Sequence, residues 1–412
     1  MTLSCLQVNK FWYPRAGAEI YALGLSEALE RAGVTVHVLS TRHPSNLPRP
    51  QSSAWPRYYE LSRGGAALSP LARLRALSAI FYNPSAARAV RTLLRGTRVD
   101  VAHVHNFTKH LGPAVLRALA EAGVPSVATL HDYWPVCPTY SLLRGDGTVC
   151  DAACAREGGK ACVRYRCAAP GLPVNLVSAL EFDLHRFLGW GLPQIDRVIA
   201  PSRFLASVIG EAGVRAGQLI VVPHPRPRRT WEPPPGKEGG LRVLYVGRLA
   251  KEKGIHVLID AARRAGCRLD VAGTGPMESE LRRQSAGDDN IRFLGFLAPD
   301  QVLAAMRASH VVAVPSIWYE NAPLVVLEAL ATGRVVAASA IGGIPEYLAG
   351  VPGARLLRPG SVEDWQRALE DLEGSASELT ELGRRAWEAS AAAPGWAEHA
   401  EQVRDIYRSV AR

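Results

Sequence analysis

Short runs of β-branched residues, separated by helical stretches, constrain the fold of this chain more than any other feature of its sequence. In the first half these runs lie at Val34–Leu39, Val99–His105, Val124–Leu130 and Arg197–Ala200. Helices are predicted between them, as over Ala18–Ala32 and Pro113–Ala122. Strands separated by helices of about 10–15 residues form βαβ units, in which neighbouring strands are parallel. The sequence therefore predicts a parallel α/β sheet for this half.

A Pro-rich stretch divides the chain, and the same alternation restarts beyond it. Residues 223–240 read PHPRPRRTWEPPPGKEGG, which is the composition of a linker. The later predicted strands are Leu241–Val246, Arg268–Ala272, Ile291–Leu294, His310–Val314 and Arg334–Ala338. We therefore predict two Rossmann-like α/β domains in tandem, over residues 1–222 and 241–393. A ligand cleft is expected between them, at the carboxyl ends of the strands.

The composition is that of a globular protein. Of the 412 residues, 48% are hydrophobic and 21% are charged, which is close to the average for soluble domains. No apolar run approaches the ~18 residues that a membrane-spanning helix needs. Residues 1–10 lack the basic flank and the long apolar stretch of a secretory signal. We therefore expect a soluble cytoplasmic protein.

The net charge of +10 is concentrated in the front part of the chain. Residues 1–235 contain 27 Lys and Arg against 15 Asp and Glu. One interpretation is a solvated basic face. The other is a surface for an anionic partner, such as a phosphorylated substrate or the inner face of a membrane. Aromatic residues are not regularly interleaved with arginines there, so we expect no nucleic acid partner.

The most informative stretch is PSIWYENAPLVVLEALATG at residues 315–333. Its pattern predicts a strand that ends at Ser316, then a loop, then a helix from Pro323 to Gly333. Glu328 would lie among apolar residues on the buried face of this helix. A buried carboxylate needs a partner, which is either an internal salt bridge or a polar ligand such as a pair of sugar hydroxyls.

Glu320 lies in the loop before this helix, where the first backbone amides of the helix lack intrahelical partners. A carboxylate beside such amides suits a substrate that combines hydroxyls with phosphates. A second stretch, VGRLAKEKG at 246–254, follows a predicted strand and carries Arg248 and Lys253. These two cations either clamp a diphosphate or are ordinary surface charges. The glycines of AGTGP at 272–276 are a weak signal by themselves.

Taken together, these stretches resemble the retaining nucleotide-sugar glycosyltransferases of family 4, which have the GT-B fold. The matching segments are GRLAKEKG at 247–254, AGTGP at 272–276, FLGF at 293–296, PSIWYENAPLVVLEALATG at 315–333 and IGGIPE at 341–346. The resemblance covers nearly the whole chain. It implies two Rossmann-like domains and a last helix, over 394–412, that crosses back to pack on the first domain.

The resemblance also implies a donor site in the second domain. Glu320 is expected to contact the donor sugar as a catalytic residue, and Glu328 to contact the ribose hydroxyls. Arg248 and Lys253 are expected to bind the diphosphate. The donor-binding residues implied are Gly17, Arg248, Lys253, Gly273, Gly275, Asn321, Ala322, Pro323, Leu324 and Glu328.

Two motifs of the first half resemble the same family. PRAGAE at 14–19 stands where the family often has a Gly-Gly-x-Glu loop, of which Gly17 is kept and the first glycine is replaced by alanine. TLHDYW at 129–134 looks like the family's strand-end histidine motif, so His131 is the second predicted catalytic residue. His105, which ends the preceding predicted strand, is the weaker candidate.

The resulting prediction is a retaining glycosyltransferase that moves a sugar from a nucleotide diphosphate sugar to an acceptor. The acceptor would be a glycan, a lipid-phosphate intermediate or a small natural product, and peripheral membrane contact of the basic domain is compatible with this. No Asp-x-Asp metal motif stands at a strand end, so we expect neither a metal nor another cofactor. The alternative is a GT-B nucleotide-sugar epimerase or a phosphorylase-like enzyme.

Five of the seven cysteines fall within residues 137–167, with 12, 3, 7 and 4 residues between successive ones. They are Cys137, Cys150, Cys154, Cys162 and Cys167. Disulfides are disfavoured because no secretory signal is expected. The spacing does not form two Cys-x-x-Cys pairs, so a structural zinc site and free thiols that fix a loop both remain open.

Overall fold

The computed structural model describes residues 2–58, 70–236, 239–375 and 378–411, without the side chains of residues 70–75. Lys237 and Glu238 of the predicted linker lie outside the described residues. The chain divides into two compact units. Unit 1 consists of Met1–Pro223 and Trp396–Arg412, and unit 2 consists of His224–Gly395.

Unit 1 is a parallel α/β structure. In chain order its elements are β1 (Ser4–Val8), α1 (Gly17–Arg31), β2 (Thr35–Leu39), α2 (Pro70–Phe81), α3 (Pro84–Gly96), β3 (Val101–Val104), α4 (Pro113–Glu121), β4 (Ser126–Thr129), α5 (Ala153–Glu157), α6 (Lys160–Arg164), α7 (Leu172–Phe187), β5 (Arg197–Ala200), α8 (Arg203–Gly210) and β6 (Leu219–Val221). The strands pair in the order β2-β1-β3-β4-β5-β6 and are all parallel. Strands β1, β3 and β4 are buried along their whole length, as expected of central strands that helices cover on both faces.

Unit 2 repeats this architecture with a different strand order. Its elements are β7 (Arg242–Val246), α9 (Ile255–Ala265), β8 (Arg268–Ala272), α10 (Glu278–Gln284), β9 (Ile291–Gly295), α11 (Pro299–Arg307), β10 (Val311–Val314), α12 (Leu324–Ala331), β11 (Val335–Ser339), α13 (Ile344–Leu348), β12 (Arg355–Leu357), α14 (Val362–Gly374) and α15 (Leu379–Ser390). The parallel strands pair in the order β12-β11-β10-β7-β8-β9. The predicted α/β class with two Rossmann-like sheets is confirmed. Across the described ranges, no helix combines the length and the apolar character that crossing a membrane requires.

The last helix, α16 (Trp396–Val410), returns to unit 1 and packs on α1. The buried cluster that the two helices share contains Tyr21, Leu25, Ala400, Val403 and Tyr407. The ring of Trp396 uses the space left by Gly24, since a Cβ at Gly24 would come within 2.6 Å of it. The predicted return of the last helix to the first domain is therefore confirmed.

Tyr407 of α16 completes a buried hydrogen-bond chain through the sheet of unit 1. The amide Nε2 of Gln7 donates to its hydroxyl at 3.0 Å, and Nδ1 of His103 lies 2.6 Å from the same oxygen. Nε2 of His103 lies 2.8 Å from Oγ1 of Thr129. All four side chains are buried. Helix α16 therefore satisfies the polar groups of the central strands as well as covering them.

The Pro-rich segment after Pro223 packs within unit 2. Arg226 is 2% exposed, and its backbone N–H donates to the carbonyl of Pro394 at 2.9 Å. Its guanidinium donates to the carbonyl of Trp387 at 3.3 Å. The first part of the stretch with linker composition thus has fixed contacts with unit 2.

We expect Tyr407→Phe to lower the free energy of unfolding by about 1–3 kcal/mol, because Gln7 and His103 each lose a buried partner while the ring is kept. Urea unfolding measures this loss. Tyr165→Phe is the matched control, since the ring of Tyr165 packs against Arg144 and its hydroxyl makes no hydrogen bond with described residues. Equal losses in the two variants would contradict the role given to Tyr407.

Candidate active site

In unit 2 the loops that follow β7 and β10 lie side by side, because these strands are neighbours in the sheet. Strands β8 and β9 extend the sheet beyond β7, and β11 and β12 extend it beyond β10. Open α/β sheets bind ligands at such a switch point, at the carboxyl ends of the strands. The first loop carries Arg248 and Lys253, and the second carries Glu320.

An ion pair joins these two loops. Nζ of Lys253 lies 2.7 Å from Oε1 of Glu320. The same oxygen accepts from the hydroxyl of Ser316 at 2.6 Å and from the indole of Trp318 at 3.1 Å. Burial alone would raise the pKa of this carboxyl, but the Lys253 ammonium and the hydrogen bonds lower the pKa below its ordinary value. Glu320 is therefore ionised at neutral pH, and its Oε2 takes none of these three bonds.

Backbone packing fixes the distance between the two loops. The amide of Ile317 donates to the carbonyl of Glu252 at 3.0 Å. Gly254 has a φ of +67°, and a Cβ there would lie 1.9 Å from the carbonyl oxygen of Pro315. Only glycine fits where the loops cross.

The glycines of residues 272–276 serve the same kind of close packing. Gly273 has a φ of +135°, and a Cβ there would lie 1.9 Å from the carbonyl oxygen of Gly247. A Cβ at Gly275 would lie 2.3 Å from the carbonyl oxygen of Leu249. Both glycines hold the loop after β8 against the loop after β7. Their contact with a donor stays a prediction.

Arg248 is engaged by a different carboxylate from Lys253. Its guanidinium pairs with Glu252, and its side chain is 64% exposed. Pairs with this exposure contribute little to stability. The two cations predicted to bind a diphosphate thus differ in exposure. Lys253 is mostly buried in its ion pair with Glu320, and Arg248 is held loosely at the surface.

Glu328 lies on α12 and is half-buried. Among the residues that the structure describes, its carboxylate has no hydrogen bond and no ion pair. Burial raises its pKa, and the charge of Arg229 partly offsets this. Of the two partners that the sequence leaves open for Glu328, the internal salt bridge is therefore not formed.

Helix α12 begins one residue later than the sequence predicts. Pro323 has an extended ψ of 113°, and the first helical residue is Leu324. The carbonyl of Pro323 accepts the amide of Val326 at 3.0 Å, so proline stands at the cap rather than inside the first turn. Asn321 and Ala322 lie partly exposed in the loop before it. The amides of Leu324 and Val325, which open the helix, lack intrahelical partners.

In unit 1, His131 joins the buried polar chain that contains Tyr407. Its Nε2 lies 3.1 Å from Nδ1 of His105, and Nε2 of His105 lies 2.7 Å from Oε1 of Gln7. Burial lowers the pKa of His131 to about 3, so its imidazole is neutral at pH 7. His131 can therefore exchange hydrogen bonds with a ligand but cannot supply a positive charge. The sequence analysis did not identify Gln7 or Tyr407, because neither residue lies in a recognisable sequence motif.

Gly17 is the first residue of α1, so the loop after β1 ends at a helix start. Glu19 in the first turn is buried, and burial raises its pKa although Arg15 and Lys10 partly offset this. Burial, together with Arg15 and Lys109, lowers the pKa of Lys10 to about 8. The charged groups Lys10, Arg15 and Glu19 thus lie close together after β1. The sequence analysis did not predict this grouping.

The five clustered cysteines are free thiols that line one small cavity, with an empty volume of about 230 Å³. A hydrogen bond between Cys162 and Cys167 lowers the pKa of Cys162. Burial raises the pKa of Cys154 to about 12. In the described part of the chain, no three His, Cys, Asp or Glu side chains are arranged to hold a metal ion. The structure thus brings all five thiols together around one cavity.

Two family models match the chain. The model described as Glycosyltransferase Family 4 matches residues 15–226, and the model described as Glycosyl transferases group 1 matches residues 240–374. A 2-deoxystreptamine glucosyltransferase from Streptomyces kanamyceticus is 27% identical over 88% of this chain and 92% of that protein. A D-inositol 3-phosphate glycosyltransferase from Corynebacterium aurimucosum is 34% identical, over 40% of this chain and 42% of that protein.

A solved structure shares the fold along the whole chain. HepE of Anabaena, in complex with UDP and glucose, covers 99% of this chain and 100% of its own, with a TM-score of 0.64. Its sequence is 18% identical, so this similarity bears on the fold alone.

We expect Gly273→Ala to destabilise unit 2 by about 3 kcal/mol or more, because the carbonyl of Gly247 cannot make room without shifting its loop. Gly266→Ala is the matched control, since Gly266 has a φ of +67° with no atom near its Cβ position. The control should cost only about 1 kcal/mol, from backbone strain. Urea unfolding compares the variants, and equal losses would show that the close approach does not matter.

Proposed function

The chain belongs to glycosyltransferase family 4 and has the GT-B fold, and on this premise we propose that it transfers a sugar from a nucleotide diphosphate sugar to an acceptor with retention of the anomeric configuration. The observation that carries the proposal is the ion pair of Lys253 with Glu320 in the loop before α12, taken together with the carboxylate of Glu328 on that helix. Together they provide an ammonium, a paired carboxylate and a carboxylate without a partner. These groups match a diphosphate and two sets of sugar hydroxyls.

Lys253 is proposed to bind the diphosphate. An ammonium has three N–H donors, and the bond to Glu320 uses one of them. The other two can reach phosphate oxygens without breaking the ion pair. Arg248 would exchange its surface pair with Glu252 for a phosphate, which requires little free energy because that pair is exposed.

The two carboxylates are proposed to bind hydroxyls. Oε2 of Glu320 would accept from a hydroxyl of the donor sugar, while Oε1 stays held by Lys253, Ser316 and Trp318. Glu328 would accept from the ribose. A bound hydroxyl pair gives Glu328 the partners that it lacks, which supports this assignment.

In the proposed reaction, negative charge grows on the leaving phosphate as the glycosidic bond breaks. Lys253, Arg248 and the first amides of α12 would stabilise that charge, and stabilisation of this kind is commonly the largest catalytic contribution. The acceptor would enter on the face that the phosphate leaves, through an ion-pair-like transition state. His131, as a neutral imidazole, would orient a sugar hydroxyl. We propose no metal or cofactor for these steps.

A small natural product is the acceptor class that we favour over a glycan or a lipid phosphate. The support is the relative named 2-deoxystreptamine glucosyltransferase, which aligns with 88% of this chain and 92% of its own.

We expect one of UDP, GDP, ADP and dTDP to raise the melting temperature of the protein. Glu328→Ala should lower the affinity for that nucleotide at least about tenfold, because the ribose hydroxyls lose their hydrogen-bond acceptor. Glu363→Ala is the matched control, since its side chain is 69% exposed on the same unit. No response to any nucleotide, or equal weakening in both variants, would contradict the donor site.

The reaction is tested by incubating the matching nucleotide sugar with and without 2-deoxystreptamine, with NMR to assign the anomeric configuration. We expect donor loss above hydrolysis only with the acceptor, and a product with the donor's configuration. Conversion of the donor without an acceptor would instead favour the epimerase alternative. An inverted product would contradict retention.

A further inference from the structure

Unit 1 contains a cavity to which the proposed transfer reaction assigns no role. It opens between the segments that follow β3 and β4 and one face of α7, and its cavity volume is about 170 Å³. Five aromatic side chains line it: Phe107, Trp134, Tyr140, Phe182 and Trp190. Such walls suit the faces of a ring or a cation.

Glu181 of α7 lines this cavity without a partner. It is 7% exposed, and among the described residues its carboxylate makes no hydrogen bond and no ion pair. Burial raises its pKa to about 7, and Lys109 offsets this only in part. A desolvated carboxylate gains most from a ligand that brings both a positive charge and hydrogen-bond donors.

The other charged groups around the cavity are already engaged. The ammonium of Lys109 lies over the ring of Tyr140, 4.7 Å from its centroid. Arg186 donates to two backbone carbonyls of α5 at 2.9 and 3.1 Å. His185 is bonded to a backbone carbonyl of α2 at 2.8 Å, and burial lowers its pKa. Asp132, near Tyr140, accepts a backbone N–H at 3.0 Å, and burial raises its pKa to about 6.

We propose that this cavity binds an acceptor that carries an ammonium group on a ring, with the ammonium against Glu181 and the ring between the aromatic walls. The proposal rests on the proposed function, because it names the acceptor class of that transfer. The missing partner of Glu181 and the electronegative faces of the surrounding rings both favour a cation over a neutral hydroxyl. Lys109 does not take this place, since its ammonium is held over Tyr140.

The test compares three probes of one shape: cyclohexylammonium, cyclohexanol and cyclohexanecarboxylate. Titration at about pH 8, followed by tryptophan fluorescence and by calorimetry, should show the ammonium binding about tenfold tighter than the alcohol. At about pH 5.5 the preference should disappear, because Glu181, with its pKa of about 7, is then protonated. The ammonium itself keeps its charge at both pH values.

Glu181→Gln should remove both the preference for the ammonium and its dependence on pH. The melting temperature at about pH 8 should rise in this variant, because a buried carboxylate without a partner is lost. The rise reports that the variant is folded. Glu27→Gln is the matched control, since Glu27 is an exposed glutamate paired with Arg31. It should leave all three affinities unchanged.

Equal affinity for cyclohexanol, or tighter binding of the carboxylate, would overturn the proposal, and so would an ammonium preference that survives in Glu181→Gln. Nucleotide binding to the same variants separates this proposal from the proposed function. Loss of nucleotide binding with the ammonium preference kept would contradict the transferase reaction alone. Nucleotide binding without the preference would contradict the acceptor class alone.

Discussion

The ion pair between Lys253 and Glu320 fixes the loops that follow β7 and β10 in unit 2 against each other. It joins loops whose residues are 67 positions apart, and three donors on one carboxylate oxygen offset the cost of burying that charge. The crossing is possible because the backbone at Gly254 touches the carbonyl of Pro315. The two loops are thus held together by the protein's own contacts. The donor that we propose would have little of these loops left to order, which favours affinity.

The buried histidines of unit 1 are uncharged, unlike the ion pair of unit 2. Burial lowers the pKa of His103 and of His131 to about 3, and that of His399 to about 4. These imidazoles are therefore neutral, and they lie within hydrogen-bond distance of Tyr407 and Thr129, of His105 and of Tyr21, respectively. A neutral network orients hydroxyls without competing for phosphates. The charged pair in unit 2 and the neutral network in unit 1 would suit the proposed reaction, in which charge develops on the leaving diphosphate.

The sequence predicts features whose signal is local, and it misses contacts between distant residues. The pattern predicts β5 residue for residue, and it misplaces the start of α12 by one residue, because proline suits the cap as well as the first turn. It identifies Lys253 and Glu320 but not their pairing. Glu181 goes unnoticed because a glutamate in an amphipathic helix looks solvated until the fold shows the cavity beside it. Tyr407 forms a hydrogen bond with Gln7, which lies 400 positions away in the sequence. Periodic patterns in a sequence cannot predict a contact over such a separation.

That last contact has a consequence for how the chain folds as it is made. Strands β1 and β3 leave the ribosome early, yet Nε2 of Gln7 and Nδ1 of His103 obtain their shared partner, the hydroxyl of Tyr407, only when residue 407 has emerged. Unit 2 is synthesised in between and can fold as a unit of its own. Unit 1 therefore waits, with unsatisfied polar groups in its central strands, while about 170 residues of unit 2 are added. During translation it is the first-made unit that matures last, and this interval is when its exposed sheet is most open to chaperones or to misassembly.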